Sequence, residues 1–120
     1  MDKDCLFCRI VAGEIPARLV FEDDALIAFA DIAPQAPVHL LIVPKRHVPH
    51  LFAAGADDAA LLGRMVTTAT ELARQSGLEK TGLESGGFRL VMNCLAGAGQ
   101  SVFHLHLHLL GGRPLAWPPG

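Results

Sequence analysis

The segment His104-Leu105-His106-Leu107-His108-Leu109-Leu110 alternates imidazole and aliphatic side chains with a period of two, the pattern of a half-buried β-strand. Leu105, Leu107 and Leu109 then enter a core, and His104, His106 and His108 share the opposite face. Residues two apart in a strand lie roughly 6.5–7 Å apart along it, so His106 stands on a rigid element between two other imidazoles. A lone strand histidine is usually just hydrogen-bonded, but here half of the chain's six histidines lie on one face, which points to a site. One ion shared by all three is the weaker reading, because this spacing converges on a common metal only if the backbone bends.

The rest of the chain supplies a frame for that strand. At 120 residues it has the length of one domain with one core. The 5-to-11 segment predicts a short helix or turn closed by Gly13 and Pro16. Residues 18–22 and 26–29 predict a hairpin turned at Asp23-Asp24, and residues 38–43 a third strand in which His39 faces the same way as Leu41 and Val43. Residues 57–76 carry Leu61, Leu62, Met65, Val66, Ala69, Leu72 and Ala73 at helical spacing, with Asp57 as N-cap and Gly77 just past the end. Residues 78–87 predict a loop, 88–93 a fourth strand, 96–101 a loop of small residues and 103–110 the fifth strand. Short loops and one dominant helix give an α+β class, with a mainly antiparallel sheet covered on one face by helix.

Composition narrows the chemistry. A formal charge of −2 gives no electrostatic case for a nucleic-acid polymer, so any phosphate handled is small and locally cradled. The apolar run from Val38 to Pro44 falls far short of the roughly 20 residues that span a bilayer, and no charged-then-apolar leader precedes the first element. Three cysteines, an odd number, fit a reducing compartment. The expectation is a cytoplasmic protein with no membrane segment.

Gly97, Gly99 and Ser101 lie immediately before the histidine strand, and glycine backbone N–H groups with a hydroxyl can converge on a phosphate. A plain turn has the same composition. A phosphate there would lie beside His106, whose unprotonated nitrogen can attack phosphorus. Clustered imidazoles disfavour charging one another, which keeps them neutral near pH 7. His108 or Ser101 lies close enough in sequence to protonate a leaving group and activate water. Cys5 and Cys8 form a CxxC that is redox-active, merely packed, or half of a zinc site; His47 and His104 are the natural further ligands. Phe7, Ile10, Phe29, Ile32 and Leu41 are core or line a slot for a flat base. Asp31 is a turn former or an acceptor for both hydroxyls of a ribose. His39 reads as a buried orienting histidine and His50 as solvated loop.

With these residues laid out, the chain resembles the histidine triad family, in its Hint branch of nucleotide phosphoramidases. The likeness runs from Cys5 to Gly120 through Ile15-Pro16-Ala17, Phe21-Glu22-Asp23-Asp24, Pro34-Gln35-Ala36-Pro37, Gly99-Gln100-Ser101-Val102, the histidine strand and Trp117-Pro118-Pro119-Gly120. The resemblance implies one domain over residues 1–120 with residues 111–120 as a tail. It implies an α+β meander, a five-stranded antiparallel sheet with one long and one short helix, that dimerises into a ten-stranded sheet. It makes His106 the nucleophile, with Ser101, His108 and His39 as its hydrogen-bonding and proton-relay partners. Asp31, Asn93 and Gly99 become ribose- and phosphate-side contacts, and Leu6, Phe7, Ile10, Phe29, Ile32 and Leu41 the base pocket. Trp117 is carried to the partner's leaving group. Cys5, Cys8, His47 and His104 become ligands of a structural zinc, with no cofactor required for the chemistry. The implied activity is hydrolysis of the P–N bond of purine nucleoside phosphoramidates; a dinucleoside polyphosphate hydrolase and a nucleotide-binding scaffold are the rivals. The chain departs from the pattern at Cys94-Leu95-Ala96, where relatives are often more polar, and in a longer 78–87 loop.

Overall fold

A computed structural model of the chain describes residues 3–120. In order they form α1 (Leu6–Val11), β1 (Leu19–Glu22), β2 (Leu26–Ala30), β3 (Val38–Pro44), α2 (Ala59–Gln75), β4 (Phe88–Val91) and β5 (Leu107–Gly111), with short 3-10 turns at Leu51–Ala53, Ala56–Asp58 and Ala96–Ala98. The strands make one antiparallel sheet in the order β1-β2-β3-β5-β4. This is the expected class and architecture.

Local chemistry explains the joints. Asp23 Oδ1 accepts the N–H groups of Ala25 and Leu26 at 2.9 and 2.8 Å, which turns the β1–β2 hairpin where the sequence placed it. Helix α2 ends in a Schellman motif: Gly77 N–H bonds the Arg74 carbonyl, Leu78 N–H bonds the Ala73 carbonyl, and Gly77 takes φ 79°. Its N-cap is Asp58 rather than Asp57, because the 3-10 turn inserts one more residue; Asp58 accepts Gly55 N–H at 2.9 Å.

Both faces of the sheet carry a core, where the sequence reading covered only one. Met65, Ala69, Leu72 and Ala73 of α2 pack on Leu26, Ala28, Ile42, Leu105, Leu107 and Leu109. Val66, assigned to that stripe, points outward instead. On the opposite face α1 lays Phe7 and Cys8 on Ile27, Phe29, Leu41 and Val43.

The histidine strand is shorter than its sequence pattern. Its ladder to β3 runs only from Leu107 opposite Ile42 to Gly111 opposite Val38. Upstream, Leu105 N–H bonds the Val48 carbonyl at 2.6 Å, and the Pro44 carbonyl meets the His104 ring at 2.7 Å. The leucine side of the alternation still enters the core, but His104 and His106 stand just beyond the paired strand. Strand β4 likewise stops at Val91, leaving Asn93 outside it.

Candidate active site

Two clusters of imidazoles are built on this sheet, one within the β3–β5 ladder and one just beyond it. The first is built on β3 and β5. His39 and Leu110 are opposed in the register, as are Leu41 and His108, which brings His39 Nε2 to 2.9 Å from His108 Nδ1. The backbone N–H of Gln35 donates to His39 Nδ1 at 3.0 Å. A nitrogen that accepts carries no proton, so neutral His39 holds its proton on Nε2 and donates it to His108 Nδ1. His108 must then carry its own proton on Nε2, on the far side of its ring. Asp31 Oδ2 lies 3.4 Å from His39 Nε2, and Asp31 Oδ1 accepts Ala33 N–H at 2.8 Å.

His106 is set by an opposite partner. Its Nδ1 lies 2.7 Å from the carbonyl of His104; a carbonyl only accepts, so Nδ1 holds the proton and Nε2 keeps a free lone pair. The ring is buried, edge-on to Phe7 with centroids 5.0 Å apart and 5.1 Å from the His108 ring. Burial lowers the pKa of His106. It lowers that of His108 further, to about 4, assisted by repulsion from His106 and His39. Both are therefore neutral around pH 7.

His104 turns away into the second cluster. Cys5, the N-cap of α1, accepts Cys8 N–H on its sulfur at 3.3 Å, so the helix start aims both sulfurs at one point. Cys5 Sγ lies 3.3 Å and Cys8 Sγ 3.5 Å from His104 Nδ1; Cys8 Sγ lies 3.3 Å from His47 Nδ1, and the two nitrogens are 3.1 Å apart. Tetrahedral zinc with ordinary Zn–S and Zn–N bonds needs ligand separations of roughly 3.3–3.8 Å; the sulfur–nitrogen separations fall in that range and the 3.1 Å between the two nitrogens is slightly shorter. His104 donates its Nε2–H to the Pro44 carbonyl and so leaves Nδ1 with a lone pair, the orientation usual for a metal-bound histidine. Burial raises the Cys5 pKa and lowers that of His104; the second keeps the imidazole a neutral ligand. These four residues can hold a metal ion.

The remaining expected residues are distributed unevenly. Phe7, Phe29 and Leu41 are buried together, with Ile10 packed on them. Leu6 is 43% exposed and Ile32 fully so, outside that cluster. Gly99 takes φ 102°, and a Cβ there would lie 3.9 Å from the Asn93 amide nitrogen. Ser101 is exposed, and among the described residues it makes no hydrogen bond to an imidazole. Trp117 is 81% exposed, with the Arg89 guanidinium 6.0 Å from its ring centre. His50 departs from the sequence reading: it is half-buried, and its Nδ1 has no hydrogen-bond partner among the described residues.

Sequence reading passed over Gln100. It is buried, accepts Leu95 N–H at 2.7 Å, and donates to the carbonyls of Pro49 and Val102 at 2.7 and 3.1 Å. The loop before the histidines is thus pinned by an amide between its glycine and serine. Nothing in a Gly-Gln-Ser string distinguishes an inward glutamine from a solvated one.

Residues 12–115 match the HIT domain family. The chain belongs to that family. It is 51% identical, over the full length of both chains, to an uncharacterised HIT-like protein of Synechocystis. It is 44% identical to the purine nucleoside phosphoramidase of Escherichia coli, over 96% of this chain and 92% of that one. A crystal structure of a HIT family hydrolase from Legionella pneumophila superposes with a TM-score of 0.91 at 52% identity, covering 97% of this chain and 99% of that one.

Proposed function

We propose that this HIT protein hydrolyses the P–N bond of purine nucleoside 5′-phosphoramidates through a nucleotide carried on His106. The observation that carries the reading is the His106 Nδ1–H bond to the His104 carbonyl, which leaves Nε2 as an unprotonated nucleophile in a buried, neutral ring. Nε2 bonds phosphorus as the P–N bond breaks, and the amine leaves with a proton taken up from solvent. Water then attacks phosphorus, the P–Nε2 bond breaks, and the proton is returned, giving nucleoside monophosphate. His108, held by His39, keeps an N–H available to the phosphoryl group and the departing amine as charge develops.

In this reading Asp31 receives the ribose hydroxyls, and Phe7, Ile10, Phe29 and Leu41 wall the base, with Leu6 and Ile32 at the rim. Asn93, Gly99 and Ser101 meet the phosphate side. The cysteine–histidine set holds zinc, which supplies folding energy when bound. Two sheets join into a homodimer, for which β1 and β4 offer the two sheet edges, and Trp117 reaches the partner's leaving group. The location is the cytoplasm, in keeping with three free cysteines; among the described residues no helix is long and apolar enough to cross a membrane.

Phosphorus NMR of the protein with an adenosine phosphoramidate and, separately, a diadenosine polyphosphate tests the substrate class. Faster consumption of the phosphoramidate by orders of magnitude is expected. The reverse order makes it a dinucleoside polyphosphate hydrolase, and no turnover of either favours a binding module. Quenching without acid during turnover is expected to trap a nucleotide on His106 by peptide mapping. A chiral phosphorothioamidate is expected to react with retention at phosphorus, since two in-line displacements restore the configuration; inversion would exclude the covalent route.

A further inference from the structure

His39 is enclosed by one exposed segment, residues 31–37, that touches both of its ring nitrogens. Asp31 stands at Nε2 and the Gln35 N–H at Nδ1. Within the segment Gln35 Nε2 donates to the Ala33 carbonyl at 2.9 Å, yet only Ala36 of residues 32–37 is buried. Such a segment has little apolar contact to fix it. Besides these bonds and that of Asp31 N–H to the His39 carbonyl at 3.0 Å, it is held from the other end of the chain.

Arg113 donates to the Gln35 carbonyl from both Nε and Nη2, at 3.2 and 2.9 Å, while its Nη1 donates to the Pro114 carbonyl at 2.9 Å. The planar fork is thus held against its own backbone on one side and grips the loop on the other. Beside it Gly112 takes φ 93°, and a Cβ there would lie 2.9 Å from Pro37 Cβ, so only glycine lets the tail come this close to the loop. Beyond the clamp, Arg89 of β4 donates to the carbonyls of Leu115 and Ala116 at 3.3 and 3.0 Å, holding the tail down.

We propose that Arg113 is a positioning residue for catalysis: by clamping Gln35 it keeps the Gln35 N–H on His39 Nδ1, and so keeps the His39 proton on Nε2, facing His108. Arg113 acts through Gln35 and His39 and touches no reacting atom. The proposal rests on the role given above to the His39–His108 pair. When the clamp is lost, Nδ1 loses its donor, His39 can take the other tautomer, and His108 then faces a lone pair where it had an N–H.

The test compares wild type with Arg113→Met, which keeps the aliphatic stem, and with Arg113→Lys, which retains one donor. Two-bond proton–nitrogen NMR at about pH 8, where an ordinary imidazole is neutral, reads the His39 tautomer. Wild type is expected to show Nε2–H alone. Arg113→Met is expected to show a mixture of tautomers and a kcat lower by roughly tenfold, with KM changed little; Arg113→Lys is expected to recover part of both. An unchanged His39 signature in Arg113→Met overturns the proposal, and so does a mixed signature with unchanged kcat. Failure of the proposed reaction itself would be seen separately, as absence of phosphoramidate hydrolysis by wild type.

Discussion

Two imidazole clusters lie along one face of the sheet, one on β3 and β5 and one just beyond them, and a backbone group of opposite polarity sets each. His104 meets a carbonyl, that of Pro44, through Nε2, and so offers Nδ1 as a lone pair to the two cysteines and His47. His39 meets an N–H, that of Gln35, at Nδ1, and so offers Nε2 as a donor to His108. The first arrangement suits a cation and the second a chain of donors. Asp31, His39 and His108 are also close enough together to suggest a metal, but His39 would need to lose its last ring proton to ligate through Nε2, and the Gln35 N–H fixes that proton there. Proximity alone does not separate the two sites; the tautomer does.

The clusters meet in one residue. The His104 side chain belongs to the cysteine set, while its carbonyl accepts the hydrogen bond from His106 Nδ1–H. Substitutions should therefore sort into those that stop turnover and those that loosen the fold. His106→Asn is expected to have the largest effect, lowering kcat/KM by roughly 10³-fold or more while still binding nucleoside monophosphate; normal turnover would contradict the assignment. Cys8→Ser is expected to lower Tm by roughly 10 °C or more, with loss of the metal found by elemental analysis of protein purified without a metal-affinity tag. Its effect on kcat/KM well below Tm should be far smaller than that of His106→Asn. A metal-free wild type of undiminished thermal stability would dissolve the contrast.

Acid should act on the cluster of His39, His106 and His108. The folded pKa of His108 is about 4 against an ordinary 6.5, so the unfolded chain binds more protons across that window. The stability this ring contributes is full above about pH 6.5 and is lost as the pH falls towards 4. Protonation of His106, also depressed by burial, removes its lone pair. The acid limb of the kcat/KM profile is therefore expected below the ordinary imidazole value; a limb at or above that value would show the rings to be solvated. The smallest effect is expected in the loop that leads to both clusters. Leu95 holds φ 75° and ψ 162°, a region open almost only to glycine. Leu95→Gly is expected to stabilise the protein by about 1 kcal/mol in chemical denaturation, without altering either cluster.

Much of this was legible in the sequence. The alternation of Leu105, Leu107 and Leu109 named the core face correctly, because period two follows from the backbone. It overran the strand by several residues, because pairing depends on the partner: Pro44 has no N–H, and its carbonyl serves the His104 ring. The four cysteine and histidine residues of the second cluster were named together, since their chemistry is distinctive. What escaped were main-chain contacts such as Gln35 N–H on His39, which carry no side-chain signature, and distant ones such as Arg113 on the Gln35 carbonyl. The exposure of Ile32, beyond the buried cluster of Phe7, Phe29 and Leu41, also escaped, because it follows from the turn at Asp31, whose Oδ1 accepts the Ala33 N–H, and not from residue type.

The measurement that bears most directly on this account is the tautomer of each histidine in the wild-type protein, read by two-bond proton–nitrogen NMR at about pH 8. The account predicts Nδ1–H at His106 and Nε2–H at His39, His108 and His104. A His106 carrying its proton on Nε2 would contradict it, because the nitrogen assigned to attack phosphorus would then have no lone pair.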